Sequence, residues 1–151
     1  MTSSPPFTAS VASSEPADLF VRNTVRWLER AVIGLNLCPF AKGVHVKGQI
    51  HYVVALTEDL TDVLALLRSE LSALVATPAE TRDTTLLILP HCLQEFLDFN
   101  DFLGDAEALL EAMELDGTLQ IASFHPQFQF AGTDVDDVTN CTNRSPYPTL
   151  H

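Results

Sequence analysis

The residue types best suited to chemistry crowd into the last stretch of the chain. Ile121 to His151, IASFHPQFQFAGTDVDDVTNCTNRSPYPTLH, holds His125, Asn140, Asn143, Arg144 and His151. No helical or strand period is sustained after His125. A compact domain seldom keeps so long an irregular segment without a use for it. Histidine titrates near neutrality and binds metals, so His125 reads as a general base or a metal ligand. The bland alternative is that it caps a strand by bonding nearby backbone. Arg144 is the only Lys or Arg after Arg82. Its guanidinium is either salt-bridged to Asp134, Asp136 or Asp137, or reserved for a carboxylate or phosphate. Asn140 and Asn143 read with Arg144 as ligand-binding residues.

Two further residues lie outside this stretch. His91 follows an apolar run and forms, with His125, a candidate pocket-lining pair. Cys38 is a candidate nucleophile, with Asn140 or Asn143 orienting a histidine as in Cys-His-Asn sites. Against this stands a buried small apolar side chain, the place where free cysteine most often sits. A metal site would draw on His125, His91 and His151, and a divalent cation is the cofactor these types would hold, though no compact ligand spacing identifies one. Asp134-Val135-Asp136-Asp137 resembles the start of a calcium loop but lacks the required glycine and bidentate glutamate, and reads as a solvated turn.

These residues need elements to position them. Residues 1–15 are Ser- and Pro-rich and read as a disordered tail. From Pro16 a single domain, 16–151, is expected. Phe20, Thr24, Trp27, Leu28, Ala31 and Leu35 share one face of a first helix, which ends near Gly34. Residues 36–48 read as a loop. IHYVVAL (50–56) is a strand by its β-branched and aromatic content. Leu60, Val63, Leu64, Leu67, Leu71 and Leu74 form the stripe of a second helix, opened by residues 57–59. TTLLIL (84–89) is a strand covered on both faces. Phe96 to Met113 repeats apolar residues at three and four, with Gly104 a place for a bend. Leu119 to Phe124 is the third strand. The order α-β-α-β-α-β implies an α/β fold: a small, mainly parallel three-stranded sheet with packed helices and a long ordered C-terminal loop. Ligands in such sheets bind beyond the carboxyl ends of the strands. His91 and His125 both follow strands and so fall on that edge, whereas a helix antiparallel to the first strand would leave Cys38 at the other unless the loop to Gly48, which is long enough, brings it back.

Composition narrows the partners. The chain has 151 residues, 46% of them hydrophobic, and a formal net charge of −12. That length suits one domain with a real core. The acidity argues against nucleic acid or an anionic membrane as partner, since both need a basic surface; it fits small-molecule or protein partners without selecting between them, a small-molecule anion at Arg144 among them. Three scattered cysteines and no signal-peptide pattern point to reduced thiols in a cytoplasmic protein. Oligomeric state does not follow from the sequence.

GLNLCPFA (34–41), FLDFNDFL (96–103), IASFHPQFQFAGT (121–133) and NRSPYPTLH (143–151) together resemble the bacterial family designated domain of unknown function 1415. The resemblance runs from the first helix to the last residue. It implies no activity, so it transfers no catalytic residue. It does imply that Cys38, His125, Asn143, Arg144 and His151 lie inside family motifs. It also implies a further helix after the position of His151, so that this chain reads as truncated. The expectation is an enzyme-like small-molecule or metal site at the carboxyl edge of the sheet. The alternative is a non-catalytic interaction module that presents Phe124, Phe128, Phe130 and Tyr147 of the C-terminal loop.

Overall fold

The computed structural model describes residues 15–151. The expected tail lies outside the described residues except for Glu15, which opens helix α1, Glu15–Trp27. Ala17, Val21, Thr24 and Leu28 recur at three and four and are buried. The buried Thr24 hydroxyl is satisfied by donating to the Phe20 carbonyl at 2.9 Å. The helix then widens over Leu28–Ile33 into a π-helical stretch. There Gly34 N–H donates to Glu29 O at 3.0 Å, and Leu37 N–H to Val32 O at 2.8 Å. Gly34 is required at this point because a Cβ would collide with the Arg30 carbonyl. Such widened turns occur often at functional sites.

The loop expected over 36–48 contains a short helix, α2, Ala41–Val46. Strand β1 is Ile50–Val54 and β2 is Thr84–Ile88, joined through α3, Leu60–Ala76. Asp59 caps α3 by accepting from Thr61 N–H at 2.8 Å, as the polar opening at 57–59 predicts. Helix α4, Phe96–Ala112, runs through Gly104 without a break, and β3 is only Ser123–Phe124.

The sheet differs from expectation in one important way. It has four strands in the order β1-β2-β4-β3, and β4 is Thr149–Leu150, from the supposed loop. β1 and β2 are parallel, while β4 is antiparallel to both β2 and β3. The three expected strands do share one direction, but β3 reaches β2 only through β4. The sheet is therefore mixed rather than mainly parallel. Pro148 cannot donate to the ladder, but its carbonyl accepts from Leu89 N–H at 2.8 Å and so guides β4 into place.

Helices cover both faces. Tyr52, Val54, Leu86 and Ile88 pack on Ala17 and Val21 of α1. Val53, Leu87 and Leu150 pack on Leu67 and Leu71 of α3 and on Phe99, Phe102, Ala106 and Leu110 of α4. This layering places His51 and Thr85, register partners in β1 and β2, on the α3 face.

Candidate functional site

At the carboxyl edge, the residues with catalytic promise fold the chain instead of facing a ligand. His125 is fully buried between Phe96 and Phe99, with ring centroids 5.4 Å and 5.0 Å away. Its Nδ1 accepts from Gln127 N–H at 3.0 Å, which leaves the proton on Nε2. Nε2 then donates to Leu93 O at 2.9 Å. Burial lowers its pKa, and the bonds to the Leu93 and Gln94 backbone only partly offset this. A neutral ring with both nitrogens engaged is a strand-end lock, with neither nitrogen open for a metal or a substrate proton.

The C-terminal polar residues do similar work. Buried Asn140 accepts from Phe130 N–H at 2.8 Å and Thr133 Oγ at 3.2 Å, and donates to Asp134 O at 3.0 Å. Asn143 donates to Ser123 O at 2.9 Å, and its carbonyl accepts from His125 N–H at 3.0 Å. Arg144 neither meets Asp134, Asp136 or Asp137 nor stands free. It donates to the carbonyls of Phe128 at 3.0 Å and Val135 at 2.8 Å. Phe124, Phe128 and Tyr147 are half-buried, and Phe128 stacks on Phe96 and Phe130. Phe130, 40% exposed, is the most exposed of the four.

His91 is exposed and meets Phe20 edge-on at 5.4 Å. It lines an open groove with Glu58, Cys92, Glu95, Asp98, Asp101 and Asp105. Five carboxylates repel the anion expected at this edge. The buried Cys92 thiol is pushed up by burial and by Glu58, which disfavours a thiolate.

Cys38 and His151 lie at the opposite, amino edge. His151 pairs with Ala122 through two backbone bonds of 2.7 Å and 2.8 Å, beyond the start of β3. The residue as a whole is exposed, yet the protein packed around its ring lowers its pKa. The set His91, His125 and His151 is therefore not assembled. Among the described residues, no three His, Cys, Asp or Glu side chains are grouped to hold a metal.

Two cavities open at this amino edge, one on each face of the sheet, and Asp83, Thr84 and His151 line both. On the α1 side, about 340 Å³ is enclosed mainly by apolar residues, including Trp27, Val32, Cys38, Phe40, Val44 and Phe124. On the α3 side, about 260 Å³ lies between Leu67, Leu71, Leu74, Leu87, Leu119 and Leu150, with Glu70, Thr85, Thr118 and Gln120 among the polar lining.

The second cavity holds what the sequence reading missed. Glu70 is 7% exposed. Its Oε1 lies 3.4 Å from His51 Nε2 and 3.5 Å from Arg82 Nη1. Neither approach makes a hydrogen bond, and Glu70 Oε1, Arg82 Nη1 and Thr85 Oγ are buried without one. Burial raises the Glu70 pKa, and Arg82 pulls it partly back. Burial, then Arg82, lowers His51 to about 4. A polar cluster with displaced pKa values beside a cavity is a mark of functional sites. Two signals were present in the sequence. Glu70 interrupts the apolar stripe between Leu67, Leu71 and Leu74, and alternation in IHYVVAL puts His51 on the Val53 side.

The family model described as "Protein of unknown function (DUF1415)" matches residues 20–151. The chain belongs to that family. No curated protein and no solved structure matches it. In this DUF1415 protein the four motifs divide between the two edges. GLNLCPFA rims the apolar cavity, and FLDFNDFL opens α4 beside His125 and the acidic groove. IASFHPQFQFAGT and NRSPYPTLH supply β3, β4 and the polar lock that joins them.

Proposed function

We propose that this DUF1415 protein binds a small molecule at the amino edge of its sheet, in the cavity between β2, α3 and residues 118–122, with Glu70 handling a proton there. One observation carries the reading: Glu70 lines a cavity, and one of its carboxylate oxygens is buried and accepts no hydrogen bond. An unmet buried acceptor is costly, and a ligand donor would satisfy it. Burial raises the Glu70 pKa, which favours the protonated acid over the carboxylate relative to an ordinary glutamate, the direction in which general acid–base groups are tuned. Arg82 keeps the carboxylate accessible, Thr85 offers a hydroxyl to orient the ligand, and the leucines accept an apolar body. The ligand class this favours is a compact neutral or cationic molecule with a hydrogen-bond donor at one end, not the anion that Arg144 first implied. The enzyme-like reading is kept, and its place moves from the carboxyl edge to the amino edge.

A thermal-shift screen of small amines, amides and alcohols tests this against wild type, Glu70→Gln and Thr85→Val. A ligand at a hundred times its Kd adds about 2.7 kcal/mol of stability, which raises Tm by roughly 5–10 °C in a chain of this size. Hits should lose that shift in both variants. Equal shifts in all three proteins, or no hit on wild type, would sink the assignment.

A further inference from the structure

The motif around Cys38 takes no part in the Glu70 site, and its surroundings are unlike the rest of the molecule. Residues 22–47 hold five of the chain's eight Lys and Arg and one of its twenty acidic residues. Arg22, Arg26, Arg30, Lys42 and Lys47 are all exposed. The single acid, Glu29, is occupied by His45 at 2.9 Å. Among these cations stand large apolar side chains facing water: Phe40 is 80% exposed, Val46 73% and Leu35 69%. Exposed apolar groups gathered within so short a segment mark an interaction surface. Beside Phe40 opens the 340 Å³ apolar cavity, bordered also by Trp27 and Cys38. The π-helical stretch and Gly34 hold the chain in the unusual path that forms this rim.

We infer that this surface docks an acidic segment of a partner protein, with one bulky apolar side chain of that segment entering the cavity beside Trp27. Recognition of acidic motifs by clustered cations, with an apolar anchor in a pocket, is an established mode of peptide binding. Charge decides the partner's sign, since this is the one basic region of a chain with net charge −12. Shape favours a narrow segment over an anionic bilayer. Gln49, just after α2, bonds the Glu80 carbonyl at 3.2 Å and accepts from Asp83 N–H at 2.8 Å. A flat negative surface laid on α2 would therefore meet Glu80 and Asp83 as well, and be repelled, whereas a peptide can pass beside them.

The test uses short synthetic peptides rich in Glu, each with one Phe or Leu at varied position, and controls with Ser replacing Glu. Trp27 is the only tryptophan, so its fluorescence reports filling of the cavity. Glu-rich peptides should bind saturably and shift that emission, and the Ser controls should not. Bound peptide should protect Cys38 from alkylation while the exposed Cys141 reacts as before. The double variant Lys42→Glu, Lys47→Glu changes two exposed side chains and should keep the fold. It should bind roughly tenfold more weakly or worse. The proposal is overturned if no peptide binds, if the double variant binds equally, or if Cys38 stays unprotected. It is equally overturned if phosphatidylserine vesicles bind through Phe40 while peptides do not, or if the surface instead drives self-association lost in the double variant.

Discussion

His51 and Glu70 sit 3.4 Å apart with pKa values moved in opposite directions, and this predicts opposed pH effects on stability. An unfolded histidine takes up a proton near 6.5, but His51 in the fold resists until about 4. Protons in that window therefore favour the unfolded chain, and stability falls as pH drops from about 6.5 to about 4, by up to about 3 kcal/mol for this one group. Glu70 runs the other way. Its folded pKa lies above the unfolded one, so the folded state holds the proton more tightly. Its contribution is full at low pH and is lost as pH rises through the folded pKa. His51→Gln should flatten the acid loss of stability, and Glu70→Gln should steepen it. Urea melts across that pH range, done on both variants, measure the two slopes. Two slopes that change in the same direction would mean that burial does not set these titrations. His125 and His151 are also lowered and keep a share of acid sensitivity in each variant.

At the scale of elements, a two-residue strand carries much of the fold. Thr149 and Leu150 are buried, and Leu150 pairs with Leu87 on one side and Ser123 on the other. Leu150→Ala should cost about 2–4 kcal/mol, the range for a leucine truncated in a packed core, as read by the denaturation midpoint. A loss below about 1 kcal/mol would mean that β4 is not held in the sheet as described. The same strand explains what the sequence could reveal. α3 and α4 were legible because each repeats its apolar period over many residues, and β1 and β2 because of their β-branched and apolar content. β4 has no period of its own. Its strand conformation comes from Leu87, Ile88, Ser123 and Phe124, and from the Pro148 carbonyl that bonds Leu89. α2 was hidden because AKGVHV mixes Gly43 with β-branched residues, which favour other conformations. The carboxyl-edge residues drew attention for a related reason. His125, Asn140, Asn143 and Arg144 have the chemistry of ligand binders, but an irregular segment with few ladder bonds must meet its own backbone groups with side chains. In this chain those four residues supply them.

For the whole molecule, the governing fact is that charge is unevenly spread. Outside residues 22–47 the chain has nineteen acidic residues against three Lys and Arg. That imbalance includes the five carboxylates lining the groove beside His91. The fold therefore works against its own repulsion, while the basic rim around Phe40 is the place where an acidic partner would be attracted. Salt acts on both through one distance, the Debye length, which shrinks from about 30 Å at 0.01 M to about 3 Å at 1 M. Screening should stabilise the folded chain by on the order of 1 kcal/mol as sodium chloride rises over that range. It should weaken docking of the Glu-rich peptide over the same range. A urea melt and a Trp27 titration at matched salt concentrations should thus move in opposite directions. A nonionic osmolyte, which is excluded from the protein surface and does not screen charge, should stabilise the fold without weakening docking. If salt strengthened both, the apolar contact at Phe40 would dominate and charge would not select the partner. If salt weakened both, the acidic surface would be held together by ion pairs. Among the described residues only Arg82–Glu70 brings a Lys or Arg to a carboxylate, and His45–Glu29 and His51–Glu70 become ion pairs only when the ring is protonated, which is too few for that.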